Sequence, residues 1–228
     1  MMKARSPDGF SGLFRLPCFL TAAGFAGFLL VCVLSFSRTS AVLSSSGALH
    51  SAFRGGSVLL PVSVTIFGRS SDTISGRVAF FLPDGKPAGA VERSWQGWYL
   101  TLECLVLTFR PGEKKCPLVF PSLFRPDGSG EKSAFRLFDS YDSEGFPLIY
   151  RLPGLSAEED RALRTAFALA KAERIFPGLF SCFSRQQLKI RSFSPGTEYN
   201  LAVESGGTVF LSLPDGRGMD PETGFILP

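Results

Sequence analysis

Hydrophobic and polar positions alternate along most of this chain, and that period of two predicts strands. Val62–Phe67 places Val62, Val64 and Ile66 on one face, and Arg77–Leu82 does the same with Val78, Phe80 and Leu82. The longest apolar run after the N-terminal region is Trp98–Phe109 (WYLTLECLVLTF). There Leu100, Leu102, Cys104 and Val106 share one face, and Tyr99, Thr101, Glu103, Leu105 and Leu107 the other. Shorter strands are predicted at Leu118–Phe120, Ala134–Phe138, Leu148–Leu152, Leu188–Phe193, Tyr199–Glu204 and Thr208–Leu213.

Turn chemistry falls between these runs. Pro-Asp-Gly occurs at 83–85, 126–128 and 214–216, with Pro111-Gly112 and Pro195-Gly196 as further turn signals and Ser205-Gly206-Gly207 between two alternating runs. Proline presets φ, aspartate bonds back to the chain and glycine accepts positive φ. The uneven spacing of the three Pro-Asp-Gly copies marks recurring turns and not a sequence repeat.

One segment carries a helical period. Ser156 and Glu159 form a capping box, Glu158, Glu159 and Asp160 suit a helix N-terminus, and Leu163, Ala166, Phe167 and Ala170 recur at i, i+3, i+4 and i+7. Asp160 and Arg164 stand one turn apart, Lys171 and Arg174 suit the C-terminal end, and Pro177 stops the helix. The predicted domain is α+β and mostly β, an antiparallel sandwich or barrel with one amphipathic helix.

The N-terminal pattern differs from all of this. Leu16–Ser37 is 22 residues without a charge, a helix about 33 Å long against a hydrocarbon core of about 30 Å. It predicts a transmembrane anchor, with residues 1–15 as a cytoplasmic tail. A Ser-, Ala- and Gly-rich tether follows at 38–57, then an extracytoplasmic β-rich domain at 58–228. The competing reading is a signal peptide cleaved after Ser37 or Ala41, although the apolar run is longer than such segments usually are.

Charge supports the anchor. The 228 residues carry a formal net charge of +4. Lys3, Arg5, Arg15 and Arg38, offset by Asp8, account for +3 of it; the other 190 residues hold 20 basic and 19 acidic groups. The excess therefore flanks the apolar segment, as the positive-inside rule requires, and predicts no nucleic-acid partner. The hydrophobic content of 45% excludes a disordered chain, and five cysteines are too few for a disulfide scaffold.

Candidate chemistry is sparse. The one histidine, His50, lies in the tether, so a histidine-based triad or histidine-ligated metal has no member in the domain. Ser129–Lys132 matches Ser-x-x-Lys without the partner motifs that chemistry needs, and reads as a polar loop. Phosphate- and dinucleotide-binding glycine motifs are absent from the sequence, and neither a catalytic residue nor a cofactor is assigned. Asp139, Asp142 and Glu144 before Gly145 are weak candidates for a Ca²⁺ site or for carboxylate catalysis, against the reading of a solvated turn. Cys104, Cys116 and Cys182 are an odd number in the domain, so at least one is left over unless it pairs between chains, and Cys104 and Cys116 read as buried free thiols in preference to a bridge.

Trp95, Trp98 and Tyr99 concentrate large aromatic surface around Gly97, where a bend would turn one ring outward. They are the first candidates for binding. The sequence thus predicts a single-pass envelope protein that binds or scaffolds an envelope protein or polymer, with an envelope hydrolase using carboxylates as the alternative.

Overall fold

The computed structural model describes residues 15–46, 49, 57–107, 117–126, 134–180, 182–204, 206–214 and 218–219. The chain divides into two compact units, residues 1–38 and 39–228. Helix α1 covers Arg15–Ser45. It runs beyond Ser37, so the first part of the expected tether is helical, and Thr39 and Leu43 are buried within the second unit. Among the described residues no helix is long and apolar enough to cross a membrane.

The second unit is mostly β. Its elements are β1 (Ser57–Arg69), β2 (Thr73–Phe81), β3 (Pro87–Gln96), β4 (Leu100–Leu107), β5 (Leu118–Pro126), β6 (Phe135–Arg136), β7 (Asp142–Ser143), β8 (Phe146–Pro147), α2 (Ala157–Ile175), β9 (Phe183–Ile190), β10 (Glu198–Glu204), β11 (Val209–Ser212) and β12 (Gly218–Met219). All pairings are antiparallel. One sheet has the order β12-β11-β10-β1-β2-β3, a second has β6-β5-β4-β9, and β7 and β8 form a small ribbon.

Turn residues act where the sequence placed them. In the β2–β3 hairpin Gly85 takes φ 84°, Leu82 and Lys86 close the loop (N···O 2.7 Å), and the Asp84 carboxylate accepts the Lys86 N–H at 3.1 Å. Gly207, at φ 90°, donates to the Glu204 carbonyl at 2.8 Å between β10 and β11. Pro111-Gly112, most of the other two Pro-Asp-Gly turns, and His50, Cys116 and Ser129–Lys132 lie outside the described residues.

The second sheet is the centre of the unit because it is covered on both faces. Every residue of β4 is buried, which is why its sequence is an almost continuous apolar run and not an alternation. One face meets the first sheet: the Trp95 ring stands edge-on to Phe124, centroids 5.1 Å apart. A Cβ at Gly76 would come within 2.9 Å of the Leu100 side chain, so glycine permits the close approach of the sheets there. The other face meets α2, with Phe120 and Phe167 centroids 5.8 Å apart.

Helix α2 forms as its sequence dictates. The Ser156 hydroxyl accepts from Glu159 N at 3.2 Å, and the Glu159 carboxylate accepts from Ser156 N at 2.7 Å. Leu163, Ala166, Phe167 and Ala170 are all buried. Asp160 and Arg164 pair at 2.8 Å on the outer side. Beyond the last turn, the buried Glu173 carboxylate accepts from Gly178 N and Phe180 N at 2.6 and 2.8 Å, which fixes the chain reversal after Pro177.

Three elements differ from the expected set. Strand β3 has no counterpart in the expected set, since Val91 and Trp95 are its only buried residues and the alternation is lost. Leu148–Leu152 is not a strand: Leu148–Tyr150 is a 3-10 turn with Ile149 and Tyr150, adjacent in sequence, both buried. Ala134–Phe138 is a strand only at Phe135–Arg136 and then enters a 3-10 turn at Phe138–Ser140.

Candidate functional site

The aromatic candidates separate into core and surface. Trp95, on β3, points between the sheets and is 5% exposed, so it is removed from the expected binding set. Gly97 then takes φ 141°, and its N–H donates to the Asp72 carbonyl at 2.9 Å. A side chain there is disfavoured by that φ, and its Cβ would also lie 3.0 Å from Pro126. Trp98, three positions after Trp95 and so of opposite parity, faces outward and is 58% exposed.

Tyr99 is half-buried beside Trp98. The Arg69 and Arg191 guanidinium carbons lie 5.8 and 5.7 Å from its ring centroid, within cation–π range. Arg69 ends β1 and Arg191 follows β9, so the cluster draws on both sheets. Neither arginine was among the sequence candidates; only the pairing of β4 with β9 places Arg191 beside Tyr99.

The carboxylates of the 139–145 segment do not assemble. Asp142 accepts Gly145 N at 2.7 Å, closing the β7–β8 turn, and its second oxygen is ion-paired with Lys171. Glu144 sits in that turn at φ 52°, its carbonyl held by Arg164 at 2.7 Å. Asp139 lies apart, lining a cavity of about 370 Å³ with Arg136, Phe138, Lys171, Arg174 and Ile175. Among the described residues no group of three or more His, Cys, Asp or Glu comes together to hold a metal ion, so the Ca²⁺ candidates are not borne out. Turn closure and the ion pair with α2 are the physical reason.

A different carboxylate is the buried one. Glu103, 3% exposed in β4, has Arg185 at 3.5 Å and Arg174 at 3.7 Å, and it accepts from Gln187 at 3.2 Å and Ser122 at 3.5 Å. The sequence pattern shows it only as one position of an apolar strand. A further cavity of about 440 Å³ is apolar, lined by Leu59, Leu60, Phe81, Leu82, Ile149 and Leu152 among others. The Cys104 thiol is fully buried, and desolvation pushes its pKa far up, which keeps it protonated and inert. Burial also raises the Cys182 thiol, to about 11.

No family model matches the chain, and no significant similarity to a curated protein or to a solved structure is found.

Proposed function

We propose that this chain is a single-pass membrane protein whose domain binds an envelope protein or polymer outside the cytoplasm, without performing chemistry on it. The observation that carries the binding reading is Trp98. A tryptophan 58% exposed on a glycine bend, next to Tyr99 and two arginines, leaves most of its surface in solvent and presents a flat apolar ring with charge beside it.

The anchor rests on the sequence. The stretch 16–37 carries no charge, and its apolar residues occupy positions all around a helix, not one stripe. A helix apolar on all sides calls for an apolar solvent. The basic residues that precede it orient residues 1–15 toward the cytoplasm.

Carbonate washing of membranes tests the anchor: the intact chain stays in the pellet, and recovery of the intact chain in the wash would refute it. Crosslinking in intact cells followed by purification tests the module. A Trp98→Ala chain that folds normally loses a stoichiometric partner held by the natural chain; retention of that partner would refute Trp98 as the contact.

A further inference from the structure

Strand β1 is interrupted near its start, and a cavity opens there. Its pairing with β10 runs through Leu59 and resumes at Ser63, while its pairing with β2 begins at Val62. Pro61 stands in that gap. It has no N–H to give a ladder, which is why proline within sheets is confined to edges and irregularities. The cavity of about 440 Å³ is lined by residues 58–61 of β1, by residues 81–83 at the end of β2 with Gly85, and by Ile149, Tyr150 and Leu152. That volume falls within the range of about 300–1,000 Å³ usual for small-ligand sites.

Its chemistry is one-sided. The Tyr150 hydroxyl is the one polar side-chain group in the lining among the described residues, and it bonds the Val119 N–H and carbonyl. Leu59, a lining residue, is 52% exposed, so the apolar surface of the cavity reaches solvent. A hydrocarbon chain asks for no hydrogen bond and suits such a lining. A peptide or a sugar would bring polar groups that no lining side chain is placed to satisfy.

The course of the chain ties this cavity to the apolar stretch. Leu152 lies four positions before Ser156, the N-cap of α2. In the first turn of α2 the Glu159 carboxylate is hydrogen-bonded to the Ser46 side chain. Thr39, Leu43 and Ser46 are buried, and all three belong to the second unit. Ser46 follows Ser37, the last residue of the uncharged stretch, by nine positions, about 14 Å along a helix.

We infer that this cavity holds one acyl chain of a phospholipid drawn from the bilayer in which residues 16–37 are anchored. The inference rests on the anchor reading above and adds a ligand to the domain, separate from the surface at Trp98. The hydrophobic effect supplies the affinity, and the neighbouring membrane supplies the chain.

The test uses the full chain reconstituted in phosphatidylglycerol vesicles that carry a small fraction of phospholipid with a diazirine near the end of one acyl chain. On irradiation the diazirine loses N₂, and the carbene inserts into a neighbouring C–H bond; peptide mass spectrometry locates the adducts. They are expected in two places, residues 16–37 and the cavity lining. Leu59→Asp sets a charge at an exposed lining position and cuts the lining adducts about tenfold or more, with the 16–37 adducts and the circular dichroism unchanged. Leu59→Ile keeps them. Adducts at 16–37 without lining adducts in the natural chain would overturn the inference and leave the anchor standing. Lining adducts without adducts at 16–37 would overturn the bilayer as the source, together with the anchor. Lining adducts that persist in folded Leu59→Asp would overturn it as well. The same diazirine on free palmitate, added to unlabelled vesicles, labels the lining less; stronger labelling would overturn the phospholipid and assign the cavity to a free fatty acid. A lining protected from both probes in a chain that crosslinks as a dimer would overturn it in favour of a second copy.

Discussion

The Tyr150 hydroxyl completes the pairing of Val119. It accepts the Val119 N–H at 2.7 Å and donates to the Val119 carbonyl at 2.9 Å. Val119 is paired with β4 on its other side, while β6 reaches only Leu123 and Phe124. The phenol thus stands in for a neighbouring strand, and two residues further on the Tyr141 hydroxyl donates to the Pro121 carbonyl at 2.9 Å. Tyr150→Phe removes the partner of two buried backbone groups and is expected to cost about 1–3 kcal/mol. Tyr141→Phe leaves one carbonyl without its phenol and costs less. Urea denaturation of the two variants checks the order; equal midpoints for natural and Tyr150→Phe chains would show that water replaces the phenol.

Glu103 is a second buried polar centre. Its carboxylate faces Arg174, 14% exposed at the side chain, and Arg185, 35% exposed. Glu103→Gln keeps the shape and hydrogen-bonding capacity but removes the buried negative charge that faces Arg174 and Arg185, so a loss on the order of 3 kcal/mol is expected. Adding Arg174→Met restores part of it, because an apolar side chain replaces a largely buried cation that Glu103 no longer faces as a charge. Thermal melts of the single and double variants measure the recovery, and a double variant less stable than Glu103→Gln would contradict this account.

Those centres mark how far the sequence could be read. Local signals were legible: the Ser156–Glu159 capping box, the Leu163–Ala170 stripe and the Gly85 turn each depend on residues within a few positions of one another. Burial of β4 on both faces agreed with its unbroken apolar run. Strand β3 was hidden because an edge strand in contact through Val91 and Trp95 has no alternation to show. Leu148–Leu152 misled because two adjacent inward residues in a 3-10 turn read like half a strand. The Glu103 centre was invisible for a different reason. Glu103, Ser122, Arg174, Arg185 and Gln187 come from distant parts of the chain and meet only through strand register and the packing of α2.

The N-terminus of α2 has its own pH dependence. Hydrogen bonds from the Ser46 side chain and then from the Ser156 backbone hold the Glu159 carboxyl below its ordinary value of 4.5. The folded state thus favours the ionised form. The contribution is complete above the unfolded value and fades as pH falls through the lower folded value. Glu159→Gln is expected to lose a small stability increment at pH 7 and to match the natural chain more closely in acid. Ser156→Ala, which removes the other half of the capping box, costs about 1 kcal/mol. Unfolding midpoints measured from pH 7 to 3 give the comparison; a Glu159→Gln deficit that grows on acidification would have the wrong sign.

Trp95 and Trp98 provide the sharpest contrast, since they stand three positions apart in opposite roles. Trp95 packs on Phe124 between the sheets, so Trp95→Ala opens a cavity and should cost about 3–5 kcal/mol. Trp98 is 58% exposed, and Trp98→Ala should change stability by no more than about 0.5 kcal/mol. The same division appears in fluorescence. Acrylamide quenches Trp98 strongly and Trp95 weakly, so the Trp98→Phe chain shows a blue-shifted, protected emission. A Trp98→Ala chain destabilised as much as Trp95→Ala would mean that the exposed ring is structural, and the case for a binding surface at Gly97 would lose its carrying observation.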